Sequence, residues 1–407
     1  MDTVTHGIAG ALIGKAFCSG DNMFPVRSMS RARITTWALM LGAIFPDSDV
    51  LRDIFSKNEL LVITWHRSLT HSLLMLPLFA LLLAALTQWM ARKFQWDSPS
   101  YAALTGTYAI GILSHILLDL VTSFGTMVWS PLAWSRPAWD LVFIVDFTFA
   151  GIFLIPQLLA WVHLDPKHAP RRAVLMWMLF IPVTFAISAI GRIVGAPIST
   201  AAVGVAILVF SVLFLIPAFR GWGGRLRLAT WNRMGFAAAC IYIGLAVLAH
   251  QRALERIRKF AEFQGIQAEA IGALPLPPSL WNWDGLIRMS RGVYELRMDL
   301  SQPSGIPDRT AAAPVSQGDF TYRYFPDARS NSLIERARQL PEVQKVLWFD
   351  RFPVTRFHKE GEESVVEILD LRFPQVRPDR PASFTYRVRF DAAGKVISQG
   401  WARELSQ

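Results

Sequence analysis

An α-helical polytopic membrane bundle of seven to eight transmembrane or re-entrant helices, followed by a smaller soluble α+β domain, is the fold this sequence predicts. Charge distribution is the first observation behind it. Residues 1–251 carry 29 charged side chains and residues 252–407 carry 43, although the whole chain is only 18% charged. The first part therefore has about half the charge density of a soluble domain. The second observation is a series of apolar stretches of roughly the 20 residues a bilayer crossing needs. The third is a late alternation, Phe384, Tyr386, Val388 and Phe390 with polar residues between them, which is the period of a half-buried strand. This pattern excludes a disordered chain, a single soluble enzyme and a fibrous repeat.

The predicted spans are 34–51, 70–91, 104–121, 141–163, 173–192, 199–219 and 234–250, with 5–18 as a shorter tilted or re-entrant eighth. Lys and Arg sort into alternate loops. Twelve (Arg27, Arg31, Arg33, Arg92, Lys93, Lys167, Arg171, Arg172, Arg220, Arg225, Arg227, Arg233) stand against five (Arg52, Lys57, Arg67, Arg136, Arg192). The richer set is expected on the cytoplasmic side, which places loops 52–69 and 122–140 and the C-terminal domain outside. Met1-Asp2-Thr3 lacks the basic start of a signal peptide, so insertion is expected from the internal spans. The division is a transmembrane domain over 1–251, a helix and Pro-rich linker over 252–278, and a soluble domain over 279–407. In the last, 364–373 and Lys395–Trp401 read as further strands around the turn Asp391–Gly394.

The net charge of +10 is no pointer to nucleic acid, because basic membrane loops account for the excess. Cys18 and Cys240 make no disulfide framework.

Ionisable residues near spans are costly and mark function. Here they come in an ordered series: Asp2 and His6, Asp47 and Asp49, His66 and His71, His115 and Asp119, Asp140 and Asp146. Asp2/His6 and His115/Asp119 are four apart, so each pair shares a helix face, and Thr122 continues the face of His115. Asp47 and Asp49 follow Pro46 at the mouth of a span. His66 reads as a loop residue and His71 as lying in the first helical turn, with Ser68 or Thr70 as its cap. Threading these positions through the alternating topology brings all ten to one membrane surface, the outer one. Histidines with aspartates suit Zn²⁺ or Mn²⁺ better than Mg²⁺, and the supply suffices for one or two ions.

Met1-Asp2-Thr3-Val4-Thr5-His6-Gly7, Phe45-Pro46-Asp47-Ser48-Asp49, His66-Arg67-Ser68-Leu69-Thr70-His71-Ser72 and Ser114-His115-Ile116-Leu117-Leu118-Asp119 together resemble the YdjM/YbcI-type inner-membrane proteins, described as membrane-bound metal-dependent hydrolases. The resemblance covers residues 1–160 and implies hydrolysis in a bacterial inner membrane. The expected metal ligands are His6, Asp47, Asp49, His66, His71, His115 and Asp119, with Asp49 or Asp119 as catalytic base. Asp2, Arg67, Thr70, Thr122, Asp140 and Asp146 are expected around them or toward substrate. The expected substrate is an ester or phosphoester of a membrane lipid or lipid-linked molecule. Two other readings stay open: a metal or proton transporter, and a scaffold whose metal only staples helices. The polar residues cluster at one end of the bundle, which disfavours transport.

Overall fold

The computed structural model describes residues 1–18, 30–52, 56, 58–193, 198–302, 320–373 and 381–402. Arg27 and Lys57, counted in the loop charges, lie outside them.

Helix α1 (Thr3–Ile13) is capped by Asp2 and runs on into a π-helical turn, Gly14–Cys18. Helix α2 (Arg31–Ile44) stops where Pro46 forces a 3₁₀ turn, Phe45–Val50. A short α3 (Leu61–Thr64) and a 3₁₀ turn (Leu69–His71) precede α4 (Leu76–Lys93). Then come α5 (Tyr101–Leu120), α6 (Phe147–Val162), α7 (Ala169–Ile193), α8 (Thr200–Phe219) and α9 (Leu228–Phe263).

Among the described residues, α5, α7, α8 and α9 are long and apolar enough to cross a membrane. A fifth span results if Leu61–His71 and Leu76–Lys93, bent by 71°, count as one. The expected seven to eight is therefore not reached by length and apolarity. The shortfall falls where polar motifs interrupt the apolar stretches. Helix in 34–51 ends at Ile44, 70–91 becomes helical only from Leu76, and 141–163 only from Phe147. Neither Ser68 nor Thr70 caps a helix at His71. Instead the Ser72 hydroxyl accepts from the Leu74 and Met75 amides ahead of α4.

Helices α1, α2, α5 and α4 pack in that order, α6 packs on α9, and α7 pairs with α8. The last two face outward over most of their surface, as lipid-facing helices do.

The C-terminal domain holds two four-stranded antiparallel sheets, each in sequential order. The first is β1 (Ala270–Leu276), β2 (Asn282–Met289), β3 (Gly292–Asp299) and β4 (Phe320–Pro326). The second is β5 (Pro353–Glu360), β6 (Glu363–Asp370), β7 (Thr385–Phe390) and β8 (Val396–Trp401). Strand β1 occupies part of the stretch read as linker. Pro275, paired with Trp283, is tolerated there because β1 is an edge strand. Helix α9 runs on out of the bundle, and its Ile257 and Phe260 pack on Trp283, Ile287 and Leu296 of the first sheet. Helices α10 (Ser332–Gln339) and α11 (Pro341–Phe349) cover the second sheet. That core also takes in Leu60, Ile63 of α3 and Phe124 from the N-terminal half. The two halves thus share a hydrophobic core directly above the polar motifs.

Candidate metal centre

Local structure brings the donors together in three steps. Pro46 ends α2 in a 3₁₀ turn that carries Asp47 and Asp49. The second 3₁₀ turn presents His71 at its end. His115 and Asp119 lie on the last turns of α5, four residues apart on one face. Beneath them α2 and α5 touch backbone to backbone: a Cβ on Gly111 would sit 2.7 Å from Leu39 O and 3.0 Å from Gly42 Cα. Glycine on both helices lets the aspartate turn and the histidine helix meet.

Asp47, His71, His115 and Asp119 form a group whose ligand atoms all lie within 4.8 Å of one another. His71 Nε2 and His115 Nε2 are 3.0 Å apart. Asp47 Oδ1 lies 3.6 and 3.4 Å from these two nitrogens, and Asp119 Oδ2 lies 3.3 and 3.4 Å from them. Zinc bonds of about 2.0–2.2 Å place tetrahedral donors about 3.3–3.6 Å apart. The four carboxylate–imidazole separations fall in this range, the two Nε2 atoms stand closer at 3.0 Å, and the group as a whole is spread wider than a regular tetrahedron.

The hydrogen bonds behind the rings test the fit. His115 Nδ1 is 2.6 Å from Ala43 O, a carbonyl that can only accept, so this nitrogen carries a proton. His71 Nδ1 faces Thr70 Oγ1 at 3.0 Å, and that hydroxyl donates to Asp49 Oδ2. His71 Nδ1 is therefore the donor to Thr70. With both Nδ1 atoms protonated, neutral rings turn two Nε2 lone pairs toward each other. Only a cation between them, a proton or a metal, relieves that repulsion. The flanking carboxylates make a divalent metal the fitting one, and the outward bonds are those that orient metal-binding imidazoles. Asp119 Oδ2 is buried and makes no well-formed hydrogen bond, as an oxygen reserved for a metal would be. Two imidazoles and two carboxylates suit Zn²⁺ or Mn²⁺.

Three other expected ligands stand just outside this group. Asp49 is fully engaged: Oδ1 meets His66 Nδ1 at 2.9 Å, and Oδ2 accepts from Arg67 N and Thr70 Oγ1, both at 3.0 Å. It steadies His71 through Thr70 rather than pointing at the centre. His66, held by Asp49, is the least buried of the four imidazoles, with 17% of its side chain exposed. His6 stacks on the His115 ring at 3.6 Å and lies 3.2 Å from Asp119 Oδ1.

Arg67 is buried and adopts a left-handed backbone, φ 61°, uncommon for a residue with a side chain. Its guanidinium reaches Asp119 Oδ1 at 2.9 Å and Thr122 Oγ1 at 3.1 Å and lies over the Phe124 ring. It neutralises Asp119 from behind and is thereby engaged within the protein and not turned toward a substrate. The Met1 amino group also contacts Asp119 Oδ1.

The remaining expected residues are placed elsewhere. Asp2 is taken up as the cap of α1, accepting from Thr5 N and Thr5 Oγ1. Asp146 caps α6 and accepts from Tyr242 and Ser279. Asp140 forms a two-pronged ion pair with Arg351 of the C-terminal domain, at 3.0 and 2.8 Å. Burial works against the Arg351 charge, but the Asp140 carboxylate outweighs it and raises the guanidinium pKa. Asp2 lies beside the centre but is used up as a helix cap, and Asp146 and Asp140 serve a helix end and a domain contact.

Sequence reading missed several partners. Thr3 donates to Asp47 Oδ2 at 2.6 Å, and its place in the N-terminal motif beside Asp2 was the available signal. Arg136 reaches the carbonyls of Ile63, His66 and Gly125, and stands between the Phe124 and Phe349 rings. As the one basic residue in loop 122–140 it was legible. The Ala43 carbonyl carries no sequence signal at all.

No curated protein and no solved structure matches the chain. A family model described as YdjM inner membrane protein matches residues 1–194. That segment holds the four grouped donors, their outward partners and the glycine crossing beneath them. Residues 1–194 of this chain are therefore similar to the YdjM inner membrane protein family.

Proposed function

We propose that this membrane protein is a metal-dependent hydrolase acting on a phosphoester of a lipid or lipid-linked molecule, with its centre on the extracytoplasmic side. The observation that carries the reading is the facing pair of Nε2 atoms flanked by two carboxylates. Asp47, His71, His115 and Asp119 would hold Zn²⁺, or Mn²⁺. Lewis acidity toward a phosphoryl oxygen and an attacking water is what such an ion supplies when bound.

The chain's own residues supply the rest. Both Asp49 oxygens and Asp119 Oδ1 are already occupied, and Asp119 Oδ2 faces the two imidazoles, so neither aspartate is free to take a proton. His66, oriented through Nδ1 by Asp49 and partly exposed, takes that role at Nε2. Water oxygen bonds to phosphorus as the ester P–O bond breaks. The water proton passes to His66 Nε2 and then to the leaving oxygen. Arg67 keeps the Asp119 carboxylate in place throughout.

One observation favours a second reading. His71, His115 and Asp119 are fully buried, and a closed site fits a metal that only staples helices. The test is phosphoester hydrolysis by purified protein in lipid nanodiscs, on phospholipid and polyprenyl phosphoester substrates. The wild type is compared with His66→Ala and His115→Ala, each with its metal content measured. Hydrolysis that is lost in both variants, while His66→Ala keeps its metal, is the expected result. A metal-loaded wild type that turns over no substrate would leave the structural role.

A further inference from the structure

The loop between α5 and α6 is sorted the wrong way round for a water-facing loop. Between residues 129 and 139 its one charged side chain, Arg136, turns inward to the carbonyls of Ile63, His66 and Gly125. Its large apolar side chains turn outward instead: Trp129 is 49% exposed, Leu132 81%, Trp134 59% and Trp139 46%. The loop is firmly held. Met127 N donates to Arg67 O, Thr126 N to Pro137 O and Trp139 N to Leu120 O. Its inner side, with Met127, Val128 and Ser130, is buried, and Val128 packs with Ile116 and Leu120 of α5. The outward apolar face is therefore displayed by a fixed backbone.

Continuity identifies what covers it. Leu73 N donates to Val128 O, and the Ser72 hydroxyl bonds Ser130 O, so the loop is joined to the start of α4. From there the exposed side chains Leu74 and Leu78 lead directly onto the outward face of α4. Three exposed tryptophans in one short loop joined to the start of an apolar helix are the composition of the bilayer's interfacial zone. Contiguous exposed apolar surface of this kind marks a binding face.

The geometry points to residues 129–139 as a membrane-embedded rim: its apolar face lies in the interfacial layer of the bilayer and sets the metal centre at headgroup depth. This does not depend on the hydrolase reading, since the same rim would flank a purely structural metal.

The test is a nitroxide at Leu132→Cys in a Cys18→Ser, Cys240→Ser background. The protein is placed in vesicles of phosphatidylethanolamine and phosphatidylglycerol. Relaxation by oxygen, which concentrates in lipid, is compared with relaxation by a nickel chelate, which stays in water. Leu82→Cys on the exposed face of α4 and Lys395→Cys in the C-terminal domain give the lipid and water references. Oxygen exceeding nickel at residue 132, as at residue 82, is the expected result. Nickel exceeding oxygen, as at residue 395, would overturn the rim. So would a probe shielded from both, which would mean that protein covers this face. Trp134→Cys repeats the measurement if the Leu132 variant does not fold.

Discussion

Asp47 and Asp49 lie two residues apart on one 3₁₀ turn, yet the structure gives them different work. Asp47 Oδ1 faces both Nε2 atoms, whereas Asp49 sits one layer out, holding His66, Arg67 N and Thr70. The two should separate in metal affinity. Asp47→Ala removes a donor and is expected to abolish stable loading. Asp49→Asn leaves the donors intact and weakens only the bond chain behind His71, for an expected loss of about 10–100-fold in affinity. Competition against a fluorescent chelator reads both, and equal losses would make Asp49 a ligand after all. The i,i+4 spacing of His115 and Asp119 was legible because it is a property of one helix. The division between Asp47 and Asp49 was not, because it depends on which carboxylate a separate turn reaches.

At the scale of elements, the crossing of α2 and α5 sets the distance between the donors each carries. Gly111 meets Leu39 O and Gly42 Cα at backbone range, so any side chain there pries the helices apart. Gly111→Val is expected to cost about 1–3 kcal/mol by overpacking, and to weaken metal binding because His115 follows one turn later. Gly106 on the same helix has nothing within 4 Å of its would-be Cβ, so Gly106→Ala is the control and should leave both properties unchanged. Thermal unfolding in detergent with parallel metal titration checks the pair. A Gly111 variant that melts early yet binds metal normally would uncouple the crossing from the centre.

For the molecule as a whole, the C-terminal domain closes over the centre instead of hanging from a linker. Phe124, two residues beyond Thr122, packs among Phe349, Phe373 and Phe384, and Arg372 donates to Ser123 O. Beside this contact lies Asp350, buried with both oxygens unpartnered. Burial, then the nearby Asp370 charge, push its pKa well above the carboxylate range against the opposing pull of Arg372. The folded domain therefore retains a proton that the unfolded chain has lost above about pH 3.9. Stability contributed by this group falls as pH rises from there toward the folded pKa. Asp350→Asn removes that slope. Relative to wild type it is expected to raise the melting temperature at pH 7 and to do little at pH 4. A variant less stable at pH 7 would mean that Asp350 is charged and paired in the folded domain.

The sequence by itself determined the division into an apolar helical part and a more charged C-terminal part with strands, since charge density and apolar length are sums along it. It also determined the ordered His and Asp motifs, the strand β7 from its alternation, β8 from the turn before it, and β6 within 364–373. It could not determine the number of spans. Continuous apolar composition hides the breaks at Pro46, at His71–Leu76 and before Phe147, which are decided by the turns the polar motifs adopt. Nor could it choose four donors from the longer list of candidates. His6, Asp49, His66, Asp2, Asp140 and Asp146 have the same side-chain chemistry as the residues that meet. Only the helix crossings and the docked domain decide which acids face the two imidazoles and which cap helices or pair with arginines. Metal-binding capacity is a property of residue type, whereas membership of a centre is a matter of a few ångströms between segments distant in sequence.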